Sequence, residues 1–338
     1  MKNIYVNACN CHQGGGKTLL DAFIEGISNQ DYNFYIFIDK RYSPPKNYNK
    51  NISFINIKLF ERFFISYRIK KRIKNHDKII YFGNLPPILD FKNNEVILLL
   101  SNRFYVDKIS FKGFLLKDII KIKLEKIYFN FTLKNIDEFI VQTNTMKILL
   151  SQRIPNKIIN VLPFENSLVP INLKVFNKET LTFIYVASLT PYKNHKKLLE
   201  AWLNLKIKGY NPTLYLTMDQ NNDIYKWIKL FVNKYKLNVI FLENINRNDL
   251  LNLYKSCEYL VYPSTFEAYG LPLIEALNYN LKVLCADLDY CWDLIKPFDF
   301  FNPYDASSIE RCILRRYDYN LNSTKILTPK EFLNKIIK

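Results

Sequence analysis

The sequence predicts an α/β protein made of two doubly wound parallel-sheet domains that face each other across a cleft. Three observations predict it. Short apolar segments alternate with helical stretches from residue 4 to residue 162. A polar, irregular stretch follows, from 162 to 178. A second alternation of the same kind then runs from 181 to 286. Such alternation argues for parallel strands covered on both faces, and a chain of 338 residues is long enough for two domains with cores of their own.

In order along the first half, strands are expected at 4–8, 34–38, 52–57, 78–82, 96–100, 138–142 and 158–162, and helices at 17–29, 58–75, 108–133 and 143–153. In the second half, strands are expected at 181–186, 213–218, 239–242, 259–262 and 282–286. Helices are expected at 193–208, 222–236, 249–256 and from about 271. Two such domains joined by one linker leave a cleft between facing strand ends, a preferred place for a ligand.

Composition narrows the class. Hydrophobic residues make up 49% of the chain, so it is not a disordered one. The six cysteines are scattered with no C-x-x-C pair, and there are only three histidines, so no metal site is expected, even where Cys9 and Cys11 stand beside His12. No apolar run approaches a membrane span and the start reads as a first strand, so a cytoplasmic protein with reduced thiols is expected. The net charge of +17 is uneven: residues 1–165 hold 26 Lys+Arg against 14 Asp+Glu. Part of the excess has a bland cause, the Lys, Asn, Ile and Tyr bias of AT-rich coding. The asymmetry points to an anionic partner such as lipid or a phosphorylated substrate. No groove- or base-reading module is present, so nucleic acid is not expected.

Three segments could perform chemistry. Asn10-Cys11-His12-Gln13-Gly14-Gly15-Gly16-Lys17-Thr18 follows the first strand and opens a helix. Its glycines let backbone N–H groups approach a ligand closely. It nearly matches a P-loop, but Cys11 stands where the first glycine belongs, and the strands at 79–83 and 96–101 end without an acid to hold Mg²⁺. Next, Lys193 follows the first strand of the second half and sits near a helix N-terminus, where a cation adds to an anion site. Last, in Pro263-Ser264-Thr265-Phe266-Glu267-Ala268-Tyr269-Gly270-Leu271-Pro272, with Glu275 beyond, a strand leads through a loop into a helix. Backbone N–H groups at that helix start can hold a phosphate, and two carboxylates can accept hydrogen bonds from sugar hydroxyls.

Taken together, these segments resemble glycosyltransferase family 4, the retaining nucleotide-sugar transferases of GT-B fold, over nearly the whole length and most strongly over 181–305. Phe82-Gly83-Asn84-Leu85-Pro86-Pro87 and Ser101-Asn102-Arg103-Phe104 also look like segments of bacterial cell-surface polysaccharide transferases. The resemblance implies an acceptor-binding domain over 1–165, a linker over 166–178 and a nucleotide-sugar domain over 179–320. It further implies a C-terminal helix over 321–338 that packs back on the first domain. Lys193 would bind the donor diphosphate, Glu275 the ribose, and Glu267 the donor sugar. Phe266 and the backbone of Tyr269, Gly270 and Leu271 would line the pocket, with Gly14, Gly15 and Gly16 closing it from the opposite domain. His12, Asn102 and Arg103 are acceptor-side candidates. Many members have an arginine where this chain has Ser188. Arg103 or Lys17 could supply that charge, or the donor could be held less tightly. Asn280 stands where the helix after Glu275 usually ends in glycine, and asparagine tolerates that cap. Asp287-Leu288-Asp289 reads as a loop near the donor rather than a metal site.

The expected activity is metal-independent transfer of a hexose, with retention, from a nucleoside-diphosphate sugar to a glycan acceptor in O-antigen or capsule synthesis, without a cofactor. That acceptor is expected on a polyprenyl diphosphate. Residues 58–74 and 108–126 interleave apolar and basic side chains at helical spacing. They read either as amphipathic helices packed on the sheet or as a surface that docks on the anionic inner face of the plasma membrane. Two other readings remain open: a P-loop nucleotide hydrolase using Gly14–Thr18, and a non-catalytic sugar-nucleotide-binding protein.

Overall fold

The computed structural model describes residues 2–27, 32–45, 48–164, 178–218, 223–243 and 245–317. The first half alternates β1 (Lys2–Asn7), α1 (Gly14–Gly26), β2 (Tyr32–Asp39), β3 (Ile52–Ile57), α2 (Ile65–Lys70), β4 (Lys78–Tyr81), β5 (Glu95–Leu99), α3 (Leu116–Thr132), β6 (Glu138–Val141), α4 (Asn144–Ser151) and β7 (Ile158–Val161). The second half follows with β8 (Glu179–Tyr185), α5 (His195–Ile207), β9 (Thr213–Met218), α6 (Asp223–Tyr235), β10 (Val239–Glu243), α7 (Arg247–Ser256), β11 (Cys257–Tyr262), α8 (Leu271–Asn278), β12 (Lys282–Ala286), α9 (Asp289–Leu294), β13 (Asp299–Phe301) and α10 (Ala306–Leu314).

The strands form two sheets, ordered β3-β2-β1-β4-β5-β6-β7 and β10-β9-β8-β11-β12-β13. Their described pairings are parallel. Each sheet has one point where the strand order reverses, between β1 and β4 and between β8 and β11. Open α/β sheets bind ligands beyond the carboxyl ends of the strands at such points. The glycine loop leaves β1 and the Phe82–Pro87 segment leaves β4. The Ser188–Lys193 segment leaves β8 and the Glu267 loop leaves β11. Both pairs of motifs therefore lie at the two switch points, and together they define the cleft.

Helices cover both faces of the first sheet. Leu19, Leu20 and Ile24 of α1 fill one core, while Ile65 and Ile69 of α2, Phe129 of α3 and Met146 and Leu150 of α4 fill the other. The expected strands are present, with ends shifted by a residue or two. Two expected helices differ. The segment 58–75 begins as a 3₁₀ turn, Leu59–Phe64, and becomes α2 only at Ile65. The helix expected from 108 begins at 116, because Gly113 adopts a left-handed φ of 83° that breaks the helical repeat. The pattern also missed α9, β13 and α10, which are short or lie beyond the last expected strand. Of the expected linker 166–178 only Lys178 is described, and the expected helix 321–338 lies outside the described residues. Among the described residues no helix is long and apolar enough to cross a membrane.

Candidate functional site

Pro191 opens a 3₁₀ turn, Pro191–Lys193, and Asn194 ends it at a left-handed φ of 61°, which asparagine tolerates better than most residues. The Asn194 amide donates to the carbonyls of Pro263 (3.1 Å) and Pro303 (2.7 Å). The Tyr192 carbonyl accepts the backbone N–H of Thr265 (2.8 Å) and its hydroxyl (3.0 Å). Tyr185 donates its hydroxyl to the Lys193 carbonyl (2.6 Å), and Tyr290 donates to that of Ser264 (2.8 Å). The loops after β8 and β11 are thus fastened to one another, and that juxtaposition brings Lys193 to Glu267.

The Lys193 ammonium pairs with Glu267 Oε1, and the Tyr262 hydroxyl donates to the same oxygen at 2.9 Å. Both charged side chains are only 12% exposed. Oε2 of Glu267 meets no donor among the described residues. Burial, reinforced by Glu267, pushes the Tyr262 hydroxyl far above its usual pKa, so it remains a donor at any working pH. Below Lys193, His195 is 2% exposed with neither ring nitrogen hydrogen-bonded. Burial, with Lys193 adding to it, lowers its pKa to about 3, which keeps the imidazole neutral.

Gly270, with φ of 79°, leads into α8, and Pro272 sits in the first turn where its missing N–H costs nothing. The N–H groups of Gly270 and Leu271 donate to no described residue, as an anion-binding helix start requires. Glu275 lies one turn further in and is buried. Its Oε1 accepts from Arg247 at 2.6 Å and its Oε2 from the Tyr254 hydroxyl at 3.1 Å. Each carboxylate oxygen keeps a second lone pair for a further donor.

The first domain closes on these loops. A side chain at Gly15 would begin 3.3 Å from Leu271 Cδ1, a tight contact that Leu271 would have to yield to, so the start of α1 and the start of α8 approach closely across the cleft. Thr143 donates to the Ala268 carbonyl at 3.1 Å, and the N–H of Thr145 to Asp293 at 2.8 Å. Arg103 forms a bidentate bridge to Asp289 at 2.8 and 2.6 Å, donates to Asp107 at 2.7 Å and to the Glu267 carbonyl at 3.2 Å, and lies over the Phe266 ring. A cavity of about 230 Å³ remains between the domains, lined by Asn84, Ser101 to Phe104, Tyr192 and Phe266 to Ala268. Ligand pockets usually run from about 300 to 1,000 Å³, so these contacts describe a closed cleft.

Of the residues singled out in the sequence, Phe266, Glu267, Asn102 and Arg103 line this cavity, and Lys193 joins them through its pair with Glu267. Gly15 meets α8 across the cleft, and Glu275 lies behind the cavity with Arg247. Ser188 is exposed. Lys17 pairs with Asp21 along α1. His12 does not line the cavity. It sits near Arg41 and Arg62, which with burial lower its pKa, and its Nδ1 is buried without a hydrogen bond. Asp287 accepts from the Trp292 indole at 2.8 Å while Asp289 holds Arg103, and no group of described residues is arranged to hold a metal. Sequence reasoning missed Arg247, Tyr254, Tyr262 and Thr143. Arg247 is 28 positions before its carboxylate on a different helix, and no spacing rule links the two.

The family model described as "Glycosyl transferases group 1" matches residues 172–318. The serotype-specific mannosyltransferase WbdA of Escherichia coli is 31% identical over 109 residues, 32% of this chain and 13% of that protein. Thus the chain spans only a small part of that relative. The capsular polysaccharide biosynthesis glycosyltransferase CapH of Staphylococcus aureus is 26% identical over 81% of this chain and 79% of its own. Among solved structures, a sucrose-phosphate synthase from Thermosynechococcus elongatus superposes with a TM-score of 0.66 at 15% identity, over 93% of this chain and 89% of that one. The two parallel sheets and their facing loops are the GT-B arrangement.

Proposed function

We propose, for a chain whose residues 172–318 match the group 1 glycosyl transferases and whose sheets have the GT-B arrangement, that it transfers a hexose from a nucleoside-diphosphate sugar to a glycan in bacterial O-antigen or capsule synthesis. The donor would bind the second domain, residues 179–320, and the acceptor the first, residues 1–165. The observation that supports this best is the buried Lys193–Glu267 pair beside the uncapped start of α8.

An ammonium has three donors. Lys193 uses one on Glu267, with the Tyr262 hydroxyl 3.5 Å away, so it can turn another to a diphosphate without leaving its counterion. Gly270 and Leu271 N–H would take the remaining phosphate charge, and Glu275 would take the ribose hydroxyls. Glu267 Oε2 would hold a sugar hydroxyl and face the positive charge that grows on the ring. As the bond from sugar C1 to the phosphate oxygen breaks, the acceptor hydroxyl forms a new bond to C1. Its proton passes to the departing phosphate on the same face, which retains the anomeric configuration. No side-chain base and no metal ion takes part. Electrostatic stabilisation of the leaving diphosphate is the main catalytic contribution. The acceptor glycan rides on a polyprenyl diphosphate at the anionic inner face of the plasma membrane, which suits the basic first domain.

Release of nucleoside diphosphate from a panel of sugar nucleotides, with EDTA present, tests this reading. Turnover of at least one donor, lost in both Lys193→Ala and Glu267→Ala, is expected. Turnover that survives both substitutions contradicts it, and turnover that appears only when Mg²⁺ replaces EDTA and is lost only in Lys17→Ala assigns the chain to nucleotide hydrolysis instead.

A further inference from the structure

We propose that the turn Leu59–Phe64, together with α2 and α3, forms a footprint that lies on an anionic bilayer and sets the first-domain rim of the cleft at the membrane surface. The proposal deepens the transferase reading by naming the membrane-contacting surface, and the lipid contact itself is measurable without turnover.

The two candidate segments are not packed down as ordinary amphipathic helices would be. Ile65 and Ile69 face the core, but Phe60 and Phe63 are 79% and 78% exposed, and Phe64 and Tyr67 are also exposed. In α3 the exposed apolar residues are Leu116, Ile120, Leu124, Ile127 and Phe131. Their spacing of four, four, three and four puts them on one stripe along the whole helix. Soluble helices present polar residues there, and apolar stripes of this size mark an interaction surface. Both elements pack against the same face of the sheet, since Ile65, Ile69 and Phe129 share one core while α1 fills the other. The exposed stripes therefore open to the same side.

Charge selects the occupant. Lys71, Lys117 and Lys123 are exposed beside the stripes and pair with no carboxylate among the described residues. A second copy docked symmetrically would bring these cations against their own images, which opposes association. Anionic headgroups complement them, while the aromatic and aliphatic side chains enter the interfacial region. Arg62 connects the footprint to the cleft. It lies in the same 3₁₀ turn as Phe63, yet pairs with Asp39 and reaches Asn10 at 3.4 Å, in the loop that leads into the glycines. One short turn thus touches lipid on its outer side and the cleft loop on its inner side.

The test is co-sedimentation of the whole chain with vesicles of phosphatidylcholine containing phosphatidylglycerol, and with vesicles of phosphatidylcholine alone. The wild type should bind the first and not the second, less as salt screens the lysines. Phe63→Ser with Phe64→Ser, and Leu124→Ser with Ile127→Ser, should each lower binding roughly tenfold or more, since burial of two large apolar side chains is lost. Ile207→Ser with Leu230→Ser, exposed in the second domain, should leave it unchanged. Equal binding to both vesicles, or binding unchanged by the first-domain pairs, overturns the proposal. So does a concentration-dependent dimer in sedimentation velocity that those same pairs dissolve. Vesicle binding that persists when no nucleoside diphosphate binds would sink the transferase reading and leave the footprint standing.

Discussion

Replacing Lys193 by methionine removes the cation from a pair that is 12% exposed on both sides, and leaves Glu267 with the Tyr262 hydroxyl as its remaining described donor. Taking one partner from a buried pair costs about 3–5 kcal/mol because the other charge stays desolvated. The residual exposure and the Tyr262 hydrogen bond put this site at the lower end, about 3 kcal/mol. For a domain of this size the transition of the second domain should then fall by on the order of 10 °C. Lys193→Met with Glu267→Gln removes both charges and keeps the hydrogen bond to the amide. That double variant should recover to within about 1 kcal/mol of the wild type. Neither variant should bind a nucleoside diphosphate with wild-type affinity. Scanning calorimetry of the three proteins, with parallel nucleotide titrations, reads both effects. A loss below about 1 kcal/mol in Lys193→Met would refute the buried-pair argument, as would a double variant no more stable than Lys193→Met.

Three further outcomes follow from the same geometry. Arg103→Ala and Asp289→Asn both break the bridge between the domains. Because Asp289 is 40% exposed the bridge is worth about 1 kcal/mol or less, so small-angle scattering should show a modest shift to a wider cleft in each, and an unchanged radius of gyration in both would contradict the latch. His195 has an ordinary pKa of 6.5 when unfolded and about 3 when folded. The unfolded chain therefore binds the extra proton, so this contribution to stability is complete above pH 6.5 and shrinks as the pH falls from 6.5 towards 3. His195→Phe should flatten that part of the urea-midpoint profile, and an unaltered slope would be the wrong result. Glu275→Ala should weaken nucleoside-diphosphate binding by about a hundredfold, the scale of losing a charged hydrogen bond, and leave pyrophosphate binding within a few-fold. Equal losses for both ligands would place Glu275 away from the ribose.

Much of the architecture was legible because it rests on local pattern. Buried parallel strands such as Val96–Leu100 and Tyr259–Tyr262 are continuous apolar runs, and the glycines, Pro191 and Gly270-Leu271-Pro272 mark the loops at the switch points. The left-handed Asn280 cap, with φ of 57°, was legible too, since asparagine is one of few residues that accept it. The break at Gly113 was not, because an isolated glycine in a helical pattern is usually tolerated. The long-range partners were not legible either. Asp289 is 186 positions from Arg103, and Asp287-Leu288-Asp289 gave no sign that its second carboxylate would serve as a latch to the opposite domain. The outward turn of Phe60, Phe63 and Phe64 was also hidden: helical spacing shows that residues share a face but not whether that face meets a core or a bilayer.

The central claim is that the Lys193–Glu267–Glu275 wall, closed by the glycine loop, is a nucleoside-diphosphate site. Isothermal titration of the wild-type chain with UDP, GDP and dTDP, with EDTA present, tests it most directly. The account predicts saturable binding of at least one of the three at a single site, abolished in Lys193→Ala and weakened in Glu275→Ala. No binding by any of the three, or binding indifferent to both substitutions, would contradict it.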